Sequence, residues 1–273
     1  MEKISVIIPM YNASSTIVDA LESVRMQNYR NNLEIIIIND GSGDNSLNIA
    51  TKYSLDHPYL NINIINKENG GVASARNVGI KAASGDFIAL LDSDDEWVDN
   101  KLNILMPYFK NEKIDCIGSG RNGKPLKVGF KNIKELTRIY PVDLVFRWNP
   151  CTPSVIFRKS IIGKIGLFNE NLKYGEDCEY WGRIAHYCGF FVIPDSLVIT
   201  GHGIHEYLQS GLSSNLRKMH KGELYAINNT YSIGGISWIM CCFAKVFARI
   251  KYIRRIIIVI LRKYIRIKPY KKQ

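Results

Sequence analysis

The chain has 273 residues, of which 46% are hydrophobic, so it can bury a sizeable core and is not expected to be disordered. Its 36 Lys and Arg outnumber 25 Asp and Glu by eleven, and eleven Lys and Arg without any acid follow residue 223. The six cysteines have no CxxC or zinc spacing, which excludes a disulfide scaffold and favours reduced thiols in a cytosol-like compartment. The first apolar segment is too short for a signal peptide.

The first hundred residues alternate between strand and helix patterns. Three β-branched, nearly unalternating runs predict buried parallel strands, at residues 4–8, 34–38 and 86–91. The segments between them predict helices that end near residues 24, 53 and 83, and a weaker strand over residues 60–65. This order predicts an α/β fold with a doubly wound, mostly parallel, Rossmann-like sheet, whose ligands bind beyond the carboxyl ends of the strands.

The second half has weaker patterns. We expect helices at residues 102–109, 133–146, 160–165 and 177–187, strands at 152–158 and 190–193, and a Gly- and Lys-rich loop at 118–129. The pattern assigns no chemistry to residues 102–147.

An acidic cluster ends the third predicted strand. Asp92, Asp94 and Asp95, with Ser93 between them, put three carboxylates within four positions. Such a cluster needs a metal ion, a ligand or a helix to offset its charge, and hard oxygen ligands suit Mg²⁺ or Mn²⁺. Solvated loop acids with one helix cap are the alternative.

Two further segments at the same edge carry polar residues. Asp40 follows the second strand in a Gly-rich turn, where its carboxylate can accept from a base or a ribose, although Asp-Gly is also a common turn pair. The loop from Asn69 through Gly71 opens a helix that carries Arg76, but it matches neither the P-loop nor GxGxxG. Arg76 can pair bidentately with a carboxylate or phosphate, or can be an ordinary surface arginine.

Two acids stand at the start of the helix predicted at residues 177–187. Glu176 and Asp177 follow Gly175 and can cap that helix or supply a general base. Spacing alone does not choose between these roles. His202 and His205, in a later polar loop, are candidate metal ligands, but loop histidines or phosphate contacts are favoured.

In chain order, these segments closely resemble the motifs of the inverting glycosyltransferases of family 2, which have the GT-A fold. The resemblance covers about residues 4–214, and its motifs are VIIPMYN (Pro9, Tyr11, Asn12), INDGS (Asp40), NGGVASARNVG (Asn69, Gly71, Arg76), LDSDD (Asp92, Ser93, Asp94, Asp95) and GED (Glu176, Asp177). It implies a nucleotide-sugar donor, usually a UDP-sugar, a Mn²⁺ or Mg²⁺ cofactor, and a glycan acceptor.

The resemblance also implies a role for each matched residue. Nucleotide-sugar binding would fall to Pro9, Tyr11, Asn12, Asp40, Asn69, Gly71, Arg76, Asp92 and Ser93. Asp40 would accept from the uracil, and Asp92 and Asp94 would face the ribose and the metal. Asp177, beside Glu176, would deprotonate the acceptor hydroxyl for attack with inversion. The aromatic-Arg-His loop common in the family lacks its Arg here.

From the extent of the resemblance and the start of the basic tail, we expect a transferase domain over residues 1–223, with a donor half (1–100) and an acceptor half (101–223).

The tail, residues 224–273, has the composition of a membrane-associating helix. Between residues 237 and 267, Ile, Phe, Val and Leu gather on one side, and most cations face the other. Since the longest aliphatic run, residues 256–261, is too short to span a bilayer, we expect an interfacial helix on anionic lipid. A peripheral enzyme at the cytoplasmic face of the cell membrane, extending a lipid-linked oligosaccharide of a surface polysaccharide, fits this tail.

Four alternatives remain open, two for the tail and two for the domain. The tail can pack on the domain with its charges solvated. Nucleic acid ranks last as its partner, because no recognised binding motif is present. For the domain, a sugar nucleotidyltransferase is disfavoured by the loop after the first strand, which lacks a Gly-rich signature with Arg or Lys, and a non-catalytic binding module is the other rival.

Overall fold

The structure is a computed structural model, which describes residues 2–29, 32–201 and 215–265. The strands are β1 (Ile4–Met10), β2 (Leu33–Asp40), β3 (Ile62–Lys67), β4 (Phe87–Leu90), β5 (Asp95–Trp97), β6 (Cys116–Arg121), β7 (Lys127–Val128), β8 (Lys131–Asn132), β9 (Thr137–Arg138), β10 (Ile156–Arg158) and β11 (Phe190–Thr200). The helices are α1 (Ile17–Arg25), α2 (Ser46–Asp56), α3 (Val72–Ala82), α4 (Lys101–Leu105), α5 (Pro141–Leu144), α6 (Ile162–Ile165), α7 (Glu176–Tyr187), α8 (Leu216–Ser232) and α9 (Trp238–Ile265). Three 3-10 turns complete the list, at Met106–Lys110, Thr152–Ser154 and Lys159–Ile161.

A nine-stranded mixed sheet forms the centre of the domain. Its order is β3-β2-β1-β4-β10-β6-β11-β5, with β9 also paired to β11. The first four strands in this row are parallel, and β10 runs antiparallel between β4 and β6. Because β6 and β11 are parallel to each other, six strands bring their carboxyl ends to one edge. The predicted doubly wound, mostly parallel α/β fold is confirmed.

Both faces of the sheet are covered, which explains the unalternating apolar runs. Ile4, Val6 and Ile8 of β1 belong to one buried cluster, whereas Ile7 packs into the cluster on the opposite face. Successive side chains of a strand point to opposite faces, so a strand buried on both sides is apolar throughout. Helix α3 lies so close to Ile7 that a Cβ at Gly79 would be 2.4 Å from its Cγ2 atom.

Two predictions in the middle of the chain are wrong. The loop predicted at residues 118–129 begins with strand β6, which pairs with β10 and β11. Position 118 of this strand is a glycine because the ring of Pro150 occupies the space of a side chain there: a Cβ would lie 2.3 Å from the Pro150 Cγ. The helix predicted at residues 133–146 is reduced to α5, preceded by the short strand β9. The pairing of β9 with β11 overrides the local helical pattern.

The tail folds back on the domain. Helix α8 packs on α7, and α9 packs on α8 through Ile227, Cys241, Ala244 and Ala248. The expected boundary between the domain and the basic tail, at residues 223 and 224, falls inside α8 and not between two helices. Lys251 bonds the Phe146 carbonyl at 2.8 Å and pairs with Glu223. Lys251 is therefore used in packing and does not point away from the domain.

None of the helices in the described residues is both long enough and apolar enough to cross a bilayer. All six cysteines are free thiols. Cys116, Cys188 and Cys241 are buried, as expected for packing residues, whereas Cys151 and Cys178 are partly buried and Cys242 is exposed.

Candidate active site

The loops after β1 and β2 are tied together at the carboxyl edge of the sheet. Asn12 adopts a left-handed φ of 49°, its amide N donates to Ser42 Oγ, and its Oδ1 accepts from Gly43 N at 2.9 Å. Ala13 N donates to Ser46 Oγ at 2.7 Å. Asn12 therefore holds the two loops in register. Pro9 is buried within β1, whereas the Tyr11 side chain is 54% exposed beside this crossing.

Asp40 organises the next loop. Its Oδ1 accepts from Gly70 N at 3.0 Å and pairs with Lys67 Nζ at 2.5 Å, and its Oδ2 accepts from Gly71 N at 2.8 Å. Asn69 Nδ2 donates to the Asp40 carbonyl at 2.9 Å. Gly71 has a φ of 87°, a left-handed value that favours glycine and lets the chain turn into α3. The buried carboxylate thus fixes the loop from which α3 starts.

Arg76 joins two acids that lie far apart in the sequence. Its Nη2 contacts Asp92 Oδ1 at 2.7 Å, and its Nη1 contacts Glu176 Oε1 at 2.9 Å. The side chain is only 4% exposed, and its guanidinium carbon lies 5.4 Å from the centroid of the Phe168 ring. Arg76 is therefore a buried bridge between the strand-end acids and the acids of α7, a partner that the sequence motif did not identify.

The acidic turn after β4 is held by a hydrogen bond within its own backbone and by one from the residue that follows β11. Asp95 N donates to the Asp92 carbonyl at 3.1 Å, and Asp95 Oδ1 accepts from Gly201 N. Asp95 starts β5, so it is not the helix cap that the alternative interpretation of this acidic cluster requires. Burial and the charges of Asp92 and Asp94 raise the pKa of Asp95 to about 8. Negative charge is concentrated here, where a bound cation would relieve it.

Arg121 is a cation beside this turn that the sequence reading missed. It ends β6 at the same edge of the sheet, and its charge opposes the rise in the pKa of Asp95. The Gly-rich sequence of β6 resembled a loop, and only the pairing with β11 shows that Arg121 lies at the carboxyl edge.

Among the described residues, no three His, Cys, Asp or Glu side chains converge on a point that could hold an ion. Asp94 is exposed and Asp92 is half-buried at the end of the turn. Two carboxylates at an open edge fit Mg²⁺ or Mn²⁺ when the remaining ligands come from a substrate diphosphate and water. His202 and His205 lie outside the described residues, and Ser93 lies in the turn, partly exposed.

Glu176 and Asp177 face different surroundings at the start of α7. Glu176 is buried against Arg76, and burial and the charge of Asp177 raise its pKa above its usual value. Asp177 stays partly exposed, and its Oδ1 accepts from Cys178 N at 2.7 Å. A helix N-terminus stabilises the ionised carboxylate. Of the two acids, Asp177 is therefore the one that another molecule can approach.

The loop that carries this pair rests directly on α8. Gly175 has a φ of 72°, and a Cβ there would lie 2.9 Å from the Gly222 carbonyl carbon. A Cβ on Gly222 would lie 2.1 Å from the Tyr174 carbonyl oxygen. This backbone-to-backbone contact couples the tail helices to the position of Asp177. The pattern of motifs gave no sign of it.

Comparison with known proteins identifies the family. The sequence model of glycosyl transferase family 2 matches residues 5–165, more than half of the chain. An uncharacterized glycosyltransferase of Rickettsia felis is 35% identical over 187 residues, 67% of this chain and 30% of that protein. The minor teichoic acid biosynthesis protein GgaB of Bacillus subtilis is 34% identical over 64% of this chain and 20% of its own length. This chain belongs to glycosyl transferase family 2.

Solved structures share the fold. S. aureus TarS 1–349 in complex with UDP-GlcNAc superposes with a TM-score of 0.66 at 23% identity, over 83% of this chain and 66% of that one. The mannosyltransferase PcManGT of Pyrobaculum calidifontis, in complex with GDP-Man and Mn²⁺, gives 0.62 at 17% identity, over 91% and 80%. The first five curated relatives are longer, and this chain spans between 26% and 62% of their lengths.

Proposed function

We propose that this protein is an inverting glycosyltransferase that moves a sugar from a UDP-sugar to a hydroxyl of a glycan acceptor. The observation that supports the proposal most is that the two acids at the start of α7 have different environments in a family 2 fold. Arg76 binds Glu176, whereas Asp177 stays partly exposed. An ionised carboxylate beside an acceptor hydroxyl can take its proton as the oxygen attacks the anomeric carbon. Attack in a single displacement inverts that carbon.

The residues at the carboxyl edge would bind the donor. Tyr11 and the loop crossing at Asn12 would lie against the base and ribose. Asp92, Ser93 and Asp94 would approach the sugar and diphosphate, with Asp92 and Asp94 holding Mn²⁺ or Mg²⁺. Such an ion, when bound, offsets the charge on the departing diphosphate. TarS in complex with UDP-GlcNAc supports a UDP-sugar donor.

The contacts of Asp40 define what uracil recognition would require here. Oδ1 accepts from Lys67 Nζ and Gly70 N, and among the described residues Oδ2 accepts only from Gly71 N. An oxygen has two lone pairs, so Asp40 can keep these bonds and accept one more from a base N–H. Uracil binding would then be coupled to the loop before α3, and Lys67 would also tune it.

We further propose that the acceptor is lipid-linked and that the protein attaches to the cytoplasmic face of the cell membrane. Helix α9 exposes a row of large apolar residues while carrying only basic charges, the composition of an interfacial helix. Anionic lipid attracts each nearby cation by about 1 kcal/mol. The similarity to GgaB, a minor teichoic acid biosynthesis protein, supports assembly of a surface polysaccharide.

The proposed reaction is tested by incubating the purified protein with a panel of UDP- and GDP-sugars, with Mn²⁺, Mg²⁺ or EDTA. Thermal stabilisation and released nucleoside diphosphate are measured together. Stabilisation by one metal–donor pair, with slow release of its nucleoside diphosphate, is the expected result. A folded protein that no donor stabilises would contradict the proposed transferase activity. A protein that binds a donor but releases no nucleoside diphosphate, whichever acceptor is added, would favour a binding module.

The membrane proposal has an independent test. Replacing Ile250 and Ile253 by Asp on the exposed face of α9 should release the protein from vesicles that contain phosphatidylglycerol. Both side chains are more than half exposed, so the fold should be unaffected. Unchanged sedimentation of this double variant with the vesicles would refute the attachment through α9.

A further inference from the structure

Helix α9 presents two opposite faces. Its packed face has small residues at Cys241, Ala244 and Ala248, all buried against α8 and the segment that follows α5. The opposite face carries large apolar residues at every third or fourth position, each between 49% and 67% exposed: Ile239, Phe243, Val246, Ile250, Ile253, Ile257 and Ile260. This row is called the apolar stripe below. With 3.6 residues per turn, the spacing keeps it on one side over about six turns.

A second element stands beside the start of this stripe. The two-stranded hairpin of β7 and β8 turns at Gly129, whose φ is 57°, and presents Phe130 at its tip with 73% of the residue exposed. The Phe130 ring lies 5.0 Å from that of Phe146 and 5.6 Å from that of Phe247 on α9. These ring contacts fix the hairpin tip against the helix, although neither segment is near the other in sequence.

A groove separates the hairpin tip from the first turns of α9. It has a volume of about 520 Å³, and its lining is mostly apolar, although the ion pair of Lys131 with Asp143 also borders it. The apolar side chains that line it are Phe130, Val142, Phe146, Ile239, Met240 and Phe243. Since Ile239 and Phe243 begin the apolar stripe, the groove and the stripe form one continuous apolar surface. Surfaces of this kind mark sites that another molecule covers.

Charge decides what covers it. The stripe has the spacing of a coiled-coil seam, so a second copy of α9 is one geometric solution. No Asp or Glu occurs after Glu223, while Arg249 and Arg254 are exposed on α9 and Lys245 is partly exposed. Two copies of this helix would bring cations to cations in either orientation. Lys127 on the hairpin is a further exposed cation. An anionic lipid surface offers the complementary charge and an apolar interior together.

We propose that the hairpin tip is a second membrane contact, with Phe130 entering the acyl boundary and the groove admitting a hydrocarbon chain of an anionic phospholipid. This inference rests on the proposed attachment through α9 and adds a fixed orientation to it. A single interfacial helix can roll about its axis, whereas two contacts on different elements define a plane. Because α8 lies between α9 and the loop at Gly175, that plane also sets how Asp177 faces the membrane.

The test compares vesicle binding of Phe130→Ser with that of Leu55→Ser, a matched control. Leu55 lies in α2 and is 74% exposed, so both changes remove an exposed apolar side chain without adding charge. Vesicles of phosphatidylglycerol and phosphatidylcholine are titrated against each protein. We expect Phe130→Ser to weaken partitioning about tenfold, Leu55→Ser to leave it unchanged, and Phe130→Trp to retain it, because Trp also favours the interface.

The outcomes distinguish failure of the second contact from failure of the proposed membrane attachment through α9. Wild-type binding that Phe130→Ser does not change would overturn the second contact and leave the attachment through α9 standing. A wild-type protein that binds no vesicles would overturn both. A dimer in solution that Phe130→Ser dissociates would instead assign the surface to a second copy. If Phe130→Ser unfolds, as judged by circular dichroism, Val142→Ser, which also changes the lining of the groove, replaces it with the same expectations.

Discussion

The bridge made by Arg76 gives the sharpest prediction for stability. Arg76→Met keeps most of the side-chain volume but removes the guanidinium that contacts Asp92 and Glu176. Removing one partner of a buried ion pair leaves the other charge without compensation and costs about 3 to 5 kcal/mol. Glu176 is 9% exposed and can limit this cost by taking up a proton, because burial already raises its pKa.

A double-mutant cycle separates the bridge from general damage. Glu176→Gln alone should cost about 1 to 3 kcal/mol, since Arg76 then faces a neutral amide and keeps Asp92. With both replaced, the loss should be smaller than the sum of the single losses by about 0.5 to 3 kcal/mol. The free energies come from urea unfolding followed by circular dichroism.

Lys52 provides the control for this cycle. Its ion pair with Asp56 is exposed, at 76% and 53% of the two side chains, so Lys52→Met should cost less than about 1 kcal/mol. An Arg76→Met variant as stable as Lys52→Met, or strict additivity in the cycle, would refute the bridge as a source of stability.

Two further predictions concern other parts of the domain. Burial alone would raise the pKa of Glu34, but hydrogen bonds from Lys3, Ser5 and Ser84 lower it to about 2. The folded pKa lies below the unfolded value, so this stabilisation, about 3 kcal/mol, is present above roughly pH 4.5 and is lost as the pH falls toward 2. In unfolding titrations, Glu34→Gln should differ most from wild type near pH 7, and a difference independent of pH would contradict this assignment. Gly222→Ala should cost about 1 to 3 kcal/mol and lower kcat more than donor affinity, because its Cβ would meet the Tyr174 carbonyl oxygen at 2.1 Å. Gly163→Ala, where a Cβ meets nothing within 4 Å, is the control, and equal effects of the two changes would exclude an effect through the contact of Gly222 with Tyr174.

The sequence predicted the parallel half of the fold because local and global signals agree there. Ile4 to Ile8 and the run before Asp40 are apolar on both faces, which only a sheet covered on both sides requires. In the second half the signals conflict. The glycines of β6 give it the sequence pattern of a loop. At Gly118 the glycine is required because Pro150, about thirty positions away in the sequence, occupies the space of a side chain.

The candidate site divides in the same way. Motif order predicted that Asp40 and Asp92 lie at one edge of the sheet, because strand ends in a parallel sheet share an edge. The role of Asp177, at the start of a helix, came only from the family resemblance. The partners of these residues were not accessible to motif reading. The link from Arg76 to Glu176 joins residues one hundred positions apart, and the contact of Gly175 with Gly222 joins backbones that carry no side-chain pattern.

As the proposed base, Asp177 would remove the proton from the acceptor hydroxyl while Glu176 stays paired with Arg76. Asp177→Asn is nearly isosteric and cannot act as a base at neutral pH. With the donor and metal found in the panel, sugar transfer to an acceptor is measured beside donor binding. We expect Asp177→Asn to bind the donor within about threefold of wild type and to lose transfer by at least about a hundredfold. Transfer at the wild-type rate, with donor binding intact, would contradict it.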